Sequence, residues 1–297
     1  MSDPPPLPLL SLLLPLISAM LYVVGAMLMR RAADFGVGFW RTTFVANLTC
    51  AAVFAPLLFL GGTFRADLLW QPAIVAALFL AGSVLNFISL DRGDVSVATP
   101  VLGIKIVLVA LLATLVGGQV VTPNIWAAAA LSTTAIALLN RTRAAHHHHV
   151  TTTILAAGAS AASFALFDVL VQKWSPAWGI GRFPPVMLGL VALLAVGLVP
   201  RFPAPLSAVQ GAAWPWLLSG SLLMAVQSLV FVCSVAYYGN ATAANVMYSS
   251  RGLWSVVAVW LVGHWFRNTE QQLGASVLRW RLLGSALMLV AIALVLW

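Results

Sequence analysis

Lys105 and Arg251 are long cationic side chains lying near the middle of apolar runs that would otherwise cross a membrane without interruption. They occupy matching points of an internal repeat. Gly93-Asp94-Val95-Ser96-Val97-Ala98 precedes Lys105, and Gly239-Asn240-Ala241-Thr242-Ala243-Ala244 precedes Arg251, at an offset of 146 residues that still holds at Gly117 and Gly263. An unpaired cation at mid-bilayer costs roughly 3 kcal/mol on insertion scales. Lysine is a compact point charge, whereas arginine offers a planar fork that grips carboxylate or phosphate bidentately. Together they favour an anion, or a zwitterion with an exposed acidic group. The alternatives are snorkelling to a helix end or pairing with a buried acid.

Asp168 is the one acid well inside an apolar run, about four residues from the expected end of its span. It suits a proton-coupling carboxylate or an ion-pair partner of Arg251 or Lys105, or else a near-interface acid that pairs Lys173 or faces water. Helical spacing sets Tyr248 and Trp254 on the flanks of Arg251, with Asn245 and Ser250 beside them. Asn86, Gln227, Asn47 and Tyr22 are further polar groups within apolar runs. Each suits either a substrate contact or an interhelical hydrogen bond.

The elements that must position these groups follow from composition. The hydrophobic fraction is 62%, charged residues make up 7% and mean hydropathy is +1.00, which leaves too little polar surface to coat a water-soluble domain. Apolar runs of spanning length fall at 7–29, 37–60, 71–90, 96–116, 123–140, 151–172, 184–200, 214–236, 241–263 and 277–297. The first is read as a retained helix, since no basic n-region or Ala-x-Ala site accompanies it. Ten spans with a five-span repeat give opposite orientations to the two halves. The expectation is therefore an all-α membrane protein of ten transmembrane helices in two inverted five-helix repeats, 1–145 and 151–297, joined by a His-rich linker at 146–150.

The net charge of +8 comes from residues scattered singly around span ends, a topological pattern rather than a nucleic-acid surface. With Lys105 and Arg251 set aside, Arg30, Arg31, Arg41, Arg92, Arg141, Arg143, Arg201, Arg267, Arg279 and Arg281 fall on one side. Only Arg65, Lys173 and Arg182 fall on the other. The positive-inside rule then puts both termini outside the cytoplasm, in a multi-pass protein of the cell (inner) membrane.

Most of the 12 tryptophans, among them Trp70, Trp174, Trp214, Trp265 and Trp297, fall at span ends and read as interfacial anchors rather than a cationic cage. His146-His147-His148-His149 lacks the spacing of a defined metal site. Cys50 and Cys233 lie in apolar runs and read as packing residues. No phosphate loop, Cys-x-x-Cys pair or nucleophile elbow is present, so neither catalysis nor a cofactor is expected.

Two motifs carry a family resemblance. One runs from Leu90-Asp91-Arg92-Gly93-Asp94 through Val95-Ser96-Val97-Ala98-Thr99-Pro100, with a second copy from Ala236 to Asn245. The other is a turn before the last helix of each half, here Gly118-Gln119 followed by Thr122-Pro123, with Gly263-His264 in the second copy. Glutamine and histidine stand there in place of the usual glutamate. This pattern resembles the EamA type of the drug/metabolite transporter superfamily. The resemblance implies a ten-helix permease whose central cavity is lined by helices 3, 4, 8 and 9 and which exports or exchanges small metabolites. Members that exchange phosphorylated sugars use lysine and arginine in that cavity, and Lys105 and Arg251 are similar in kind and helix position. The expectation is a secondary transporter, working by alternating access, of a small anionic or zwitterionic metabolite. Its partners would be that substrate and membrane lipids. The alternatives are a flippase for a lipid phosphate, whose headgroup would meet the same cations, and an integral-membrane enzyme acting on lipid intermediates.

Overall fold

The computed structural model describes residues 8–91, 95–139, 150–262 and 275–296. Within them the main elements are twelve helices: α1 (Leu9–Ala33), α2 (Phe39–Phe54), α3 (Trp70–Asp91), α4 (Val95–Gly103), α5 (Lys105–Leu115), α6 (Pro123–Leu139), α7 (Val150–Trp178), α8 (Phe183–Val196), α9 (Trp214–Tyr238), α10 (Ala241–Ser249), α11 (Arg251–Val262) and α12 (Ala275–Leu296). Short 3-10 turns extend α2 to Leu60 and lead into α3 and α9. Arg92-Gly93-Asp94, Arg141, Arg143, the histidine tract, Gly263-His264, Trp265, Arg267 and Trp297 lie outside the described residues.

Five helical segments are long and apolar enough to cross a membrane: Leu9–Ala33, Phe39–Leu60, Ala66–Ser89, Val150–Trp178 and Gly211–Tyr238. Pro100–Leu115, Pro123–Leu139, Phe183–Val196 and Leu282–Leu296 are shorter apolar helices. At 1.5 Å per residue, a helix needs about 20 residues to cover a 30 Å hydrocarbon core.

Two features differ from the sequence expectation. First, α7 continues through Gln172 and Lys173 to Trp178, so Asp168 stands well inside the helix rather than in its last turn. Lys173 does not end the helix because its exposed ammonium reaches across to donate to the Val116 carbonyl at 2.8 Å. Second, the fourth and ninth expected spans are each divided, as α4/α5 and α10/α11. The divisions fall at Ile104 and Ser250, one residue before Lys105 and Arg251. At both, the amide turns to the third residue back instead of the fourth: Ile104 N–H to Val101 O at 3.1 Å, and Ser250 N–H to Met247 O at 3.2 Å. The ψ angles of −20° and −14° are those of a 3-10 turn. Pro100 removes a helical donor near the first division, but the matching position in the second is Val246, so proline is not the common cause.

Long neighbours run side by side: α1 with α9, α3 with α7, and α6 with α12, while α2 contacts α8 and α9. Small residues let these backbones approach. Gly25 and Gly220 bring α1 and α9 together against Met224 and Met29. Gly82 of α3 lies under the Phe164 ring of α7, and its carbonyl accepts from Ser160 at 2.8 Å. At the end of α9, Gly239 takes φ +64°, a left-handed stop that lets α10 begin two residues later.

Gly284 of α12 meets rigid backbone. A Cβ there would lie 2.9 Å from both the Ala135 carbonyl oxygen and the Leu139 nitrogen of α6. Gly284→Ala is therefore expected to cost about 1–3 kcal/mol, seen as a lower Tm of the detergent-solubilised protein. An unchanged Tm would mean that α6 and α12 separate freely.

The largest buried cluster draws on both halves of the sequence, with Phe54, Val109, Phe167, Trp178, Phe183, Met187, Phe231, Ala244 and Tyr248 among its members.

Candidate functional site

Helical periodicity assembles the polar groups at the centre. Ser18 and Tyr22 stand one turn apart on α1, Phe164 and Asp168 on α7, and Gln227 and Phe231 on α9. On α10, Asn245 and Tyr248 are three residues apart, and Arg251 follows after three more, as the first residue of α11. Lys105 is the first residue of α5. Both cations thus follow directly on a helix division.

The Lys105 ammonium is 2.8 Å from Asp168 Oδ2, and the Asp168 side chain is 2% exposed. Asn245 Nδ2 donates to the same oxygen at 2.7 Å, and to the Ala241 carbonyl at 2.9 Å. The ammonium also sits 5.8 Å from the Phe164 ring centre and 5.9 Å from that of Phe231. Apolar walls of this kind strengthen the pairing by excluding water.

Arg251 has different company. Its Cζ is 4.9 Å from the Tyr22 ring centre and 4.7 Å from that of Tyr248, two rings that meet edge to face at 5.9 Å. Among the described residues no carboxylate forms an ion pair with it. The Tyr248 hydroxyl donates to Gln227 Oε1 at 3.1 Å, which Ser18 Oγ approaches to 3.0 Å. Gln227 Nε2 donates in turn to Ser228 Oγ at 2.8 Å. Phe231 bridges the two cationic centres, since its ring is 4.8 Å from that of Tyr248 and also faces Lys105.

Lys105, Asp168 and Asn245 form one contact group and Arg251, Tyr22, Tyr248 and Gln227 another, and the two meet through the Phe231 ring. Asp168 partners Lys105 rather than Lys173. Of the readings open for Lys105, the pair with a buried acid is the one seen: its charge is matched by Asp168, so the cluster carries two positive charges against one negative. Ser250 Oγ and Trp254 Nε1, one residue before and three after Arg251, are buried without a hydrogen-bond partner. Asn47 Nδ2 is likewise unpartnered, on α2. Asn86 is half-buried on α3, and among the described contacts none ties it or Asn47 to the cluster.

Sequence reasoning missed Phe164, Phe231, Ser18 and Gln172. Gln172 Oε1 accepts from the Ala241 amide at 2.7 Å and so anchors the start of α10 to α7. The available signal was i,i+4 spacing: Phe164 to Asp168, Ser18 to Tyr22, and Gln227 to Phe231.

Residues 9–141 match the model of the EamA-like transporter family. No curated protein matches the chain. A protein known from a crystal structure is similar in fold, with a TM-score of 0.76 over 96% of this chain and 97% of its own, at 15% sequence identity. The first half of the chain thus matches the EamA-like transporter family, within a protein that has several helices long and apolar enough to cross a membrane.

Proposed function

We propose that the protein is a secondary transporter of a small anionic metabolite, working by alternating access between two inverted five-helix repeats, 1–145 and 151–297, with 146–150 as linker. Support for the repeat comes from the neighbour pattern. Exchanging first-half helices for their second-half counterparts turns α1 against α9 into α7 against α3, and leaves α6 against α12 unchanged. The two helix divisions obey the same 146-residue offset. The α4/α5 and α10/α11 pairs then act as single spans, which gives the count of ten.

The observation that carries the anion reading is Arg251, which opens α11 between two tyrosine rings and has no carboxylate partner among the described residues. A half-buried cation in an apolar span without a counter-ion is costly. An anion that docks on Arg251 makes the cluster neutral. The loaded protein therefore closes its helices over the site more cheaply than the empty one does, which favours exchange over net flux. Lys105 joins the anion path only when Asp168 gives up its charge to a proton or moves away.

The test is counterflow in proteoliposomes. A labelled organic anion inside should leave at least tenfold faster when the same anion is supplied outside. Absence of exchange across a panel of anionic metabolites would refute the reading. Movement of a lipid phosphate between leaflets, without solute exchange, would reassign the protein as a flippase.

The distribution of arginines supports non-cytoplasmic termini in the cell (inner) membrane. Alkaline phosphatase fused after Trp297 is expected to be active and a fluorescent protein that matures only in the cytoplasm dark. The reverse result would invert the topology.

A further inference from the structure

Resting on the reading of Arg251 as the docking cation, we infer that the anion carried is a monocarboxylate with a flat, aromatic or otherwise apolar body, rather than a zwitterion or a phosphorylated dianion. Charge sets the valence. Lys105 and Asp168 cancel at 2.8 Å, which leaves the single positive charge of Arg251 for the ligand. A second negative charge would meet no further cation in the cluster and would be repelled by Asp168.

The charges and donors around Arg251 argue against an ammonium group on the ligand. The Asp168 charge is already matched by Lys105, with Asn245 donating to the same oxygen, Oδ2, so it leaves no uncompensated negative charge for an ammonium. Gln227 Oε1 already takes Tyr248, with Ser18 beside it. What stays unsatisfied next to Arg251 in the chain is the Ser250 hydroxyl and the Trp254 indole N–H. Indole nitrogen only donates and a hydroxyl can donate, so both groups suit carboxylate oxygens, while the indole offers nothing to an ammonium. The guanidinium binds a carboxylate through two parallel N–H groups.

The walls set the body of the ligand. Tyr22 and Tyr248 flank the guanidinium, and Phe231 continues the aromatic surface from Tyr248 to Lys105. With the guanidinium over both tyrosine rings, a carboxylate that docks on it lies beside aromatic surface, against which a flat apolar body packs. A hydroxyl-rich body would lose its hydration against them without recovering hydrogen bonds.

Four probes separate the possibilities: 3-phenylpropanoate, phenylalanine, phenyl phosphate and acetate, each titrated by calorimetry into the purified full-length protein at pH 7.5. The expected order gives 3-phenylpropanoate a Kd at least tenfold below each of the other three. Phenylalanine shares its body and adds the ammonium, phenyl phosphate adds the second charge, and acetate removes the ring. A Kd for phenylalanine or phenyl phosphate equal to or below that for 3-phenylpropanoate would overturn the substrate class while leaving an anion carrier standing. Equal binding of acetate would remove the aromatic body. Binding of none of the four would overturn the class and count against the docking role of Arg251. Tyr22→Leu, which preserves every charge, is expected to narrow the 3-phenylpropanoate preference over acetate at least threefold. An unchanged preference would remove Tyr22 from the ligand wall.

Discussion

Replacing Arg251 by methionine is expected to weaken anion binding at least a hundredfold while leaving the protein as stable as before, or more so. Truncating one partner of a buried, hydrogen-bonded charge pair typically costs 2–5 kcal/mol of binding, and about 2.8 kcal/mol already corresponds to a hundredfold. Stability moves the other way. Methionine removes a cation whose insertion at mid-bilayer costs roughly 3 kcal/mol. Against this stands the loss of contacts to Tyr22 and Tyr248, at 4.9 and 4.7 Å. Each such contact contributes about 0.5–2 kcal/mol. The two effects nearly cancel, and neither approaches the binding loss. Thermal unfolding in detergent beside anion titration separates them. A Tm that falls sharply in Arg251→Met would make the arginine a structural strut whose role is to hold α1 against α11, and the docking role would be lost with it.

Much of the architecture was legible because hydrophobic length is a strong signal and the interrupting residues are few. Each described helix or divided pair falls within a few residues of an apolar run, and Lys105, Arg251, Tyr248, Asn245, Gln227 and Tyr22 converge as polar residues in apolar spans tend to. What stayed hidden has physical reasons. Ile104 and Ser250 carry no breaker chemistry, and the 3-10 turns there amount to one shifted hydrogen bond each, which leaves no trace in composition. The apolar run 151–172 ends before Lys173, whereas α7 continues to Trp178. Here the lysine is consumed by the Val116 carbonyl, the helix runs on, and Asp168 is carried inward to meet Lys105. Phe164 and Phe231 were invisible as site residues because an aromatic in an apolar run looks the same whether it faces lipid, core or a cation. Asn86 and Asn47 show the converse: a polar residue in a span need not join the central cluster, Asn86 standing half-buried on α3 and Asn47 buried on α2.

A double-mutant cycle on Lys105 and Asp168 decides whether their pair serves stability or the transport cycle. Asp168→Leu leaves a largely buried ammonium without its counter-ion, and Lys105→Met leaves a carboxylate with Asn245 as its remaining donor. Breaking one side of a buried pair costs about 3–5 kcal/mol. Both single variants should therefore unfold at clearly lower temperature in detergent. The double variant Lys105→Met/Asp168→Leu removes both charges at similar volume, and such replacements are often neutral or stabilising by about 1–4 kcal/mol. Its Tm should return to the parent value or exceed it. Singles that melt like the parent, or a double as unstable as the sum of the singles, would mean that the two groups do not act as a pair. If the double variant is stable yet exchanges anions at least tenfold more slowly, the pair is not there for stability. It joins α5 to α7, so under the proposed alternating access each opening and closing would either keep it intact or break it. A hydrophobic substitute supplies the packing without that charge-dependent link, and slow exchange in a stable protein is the signature that separates a latch from a strut.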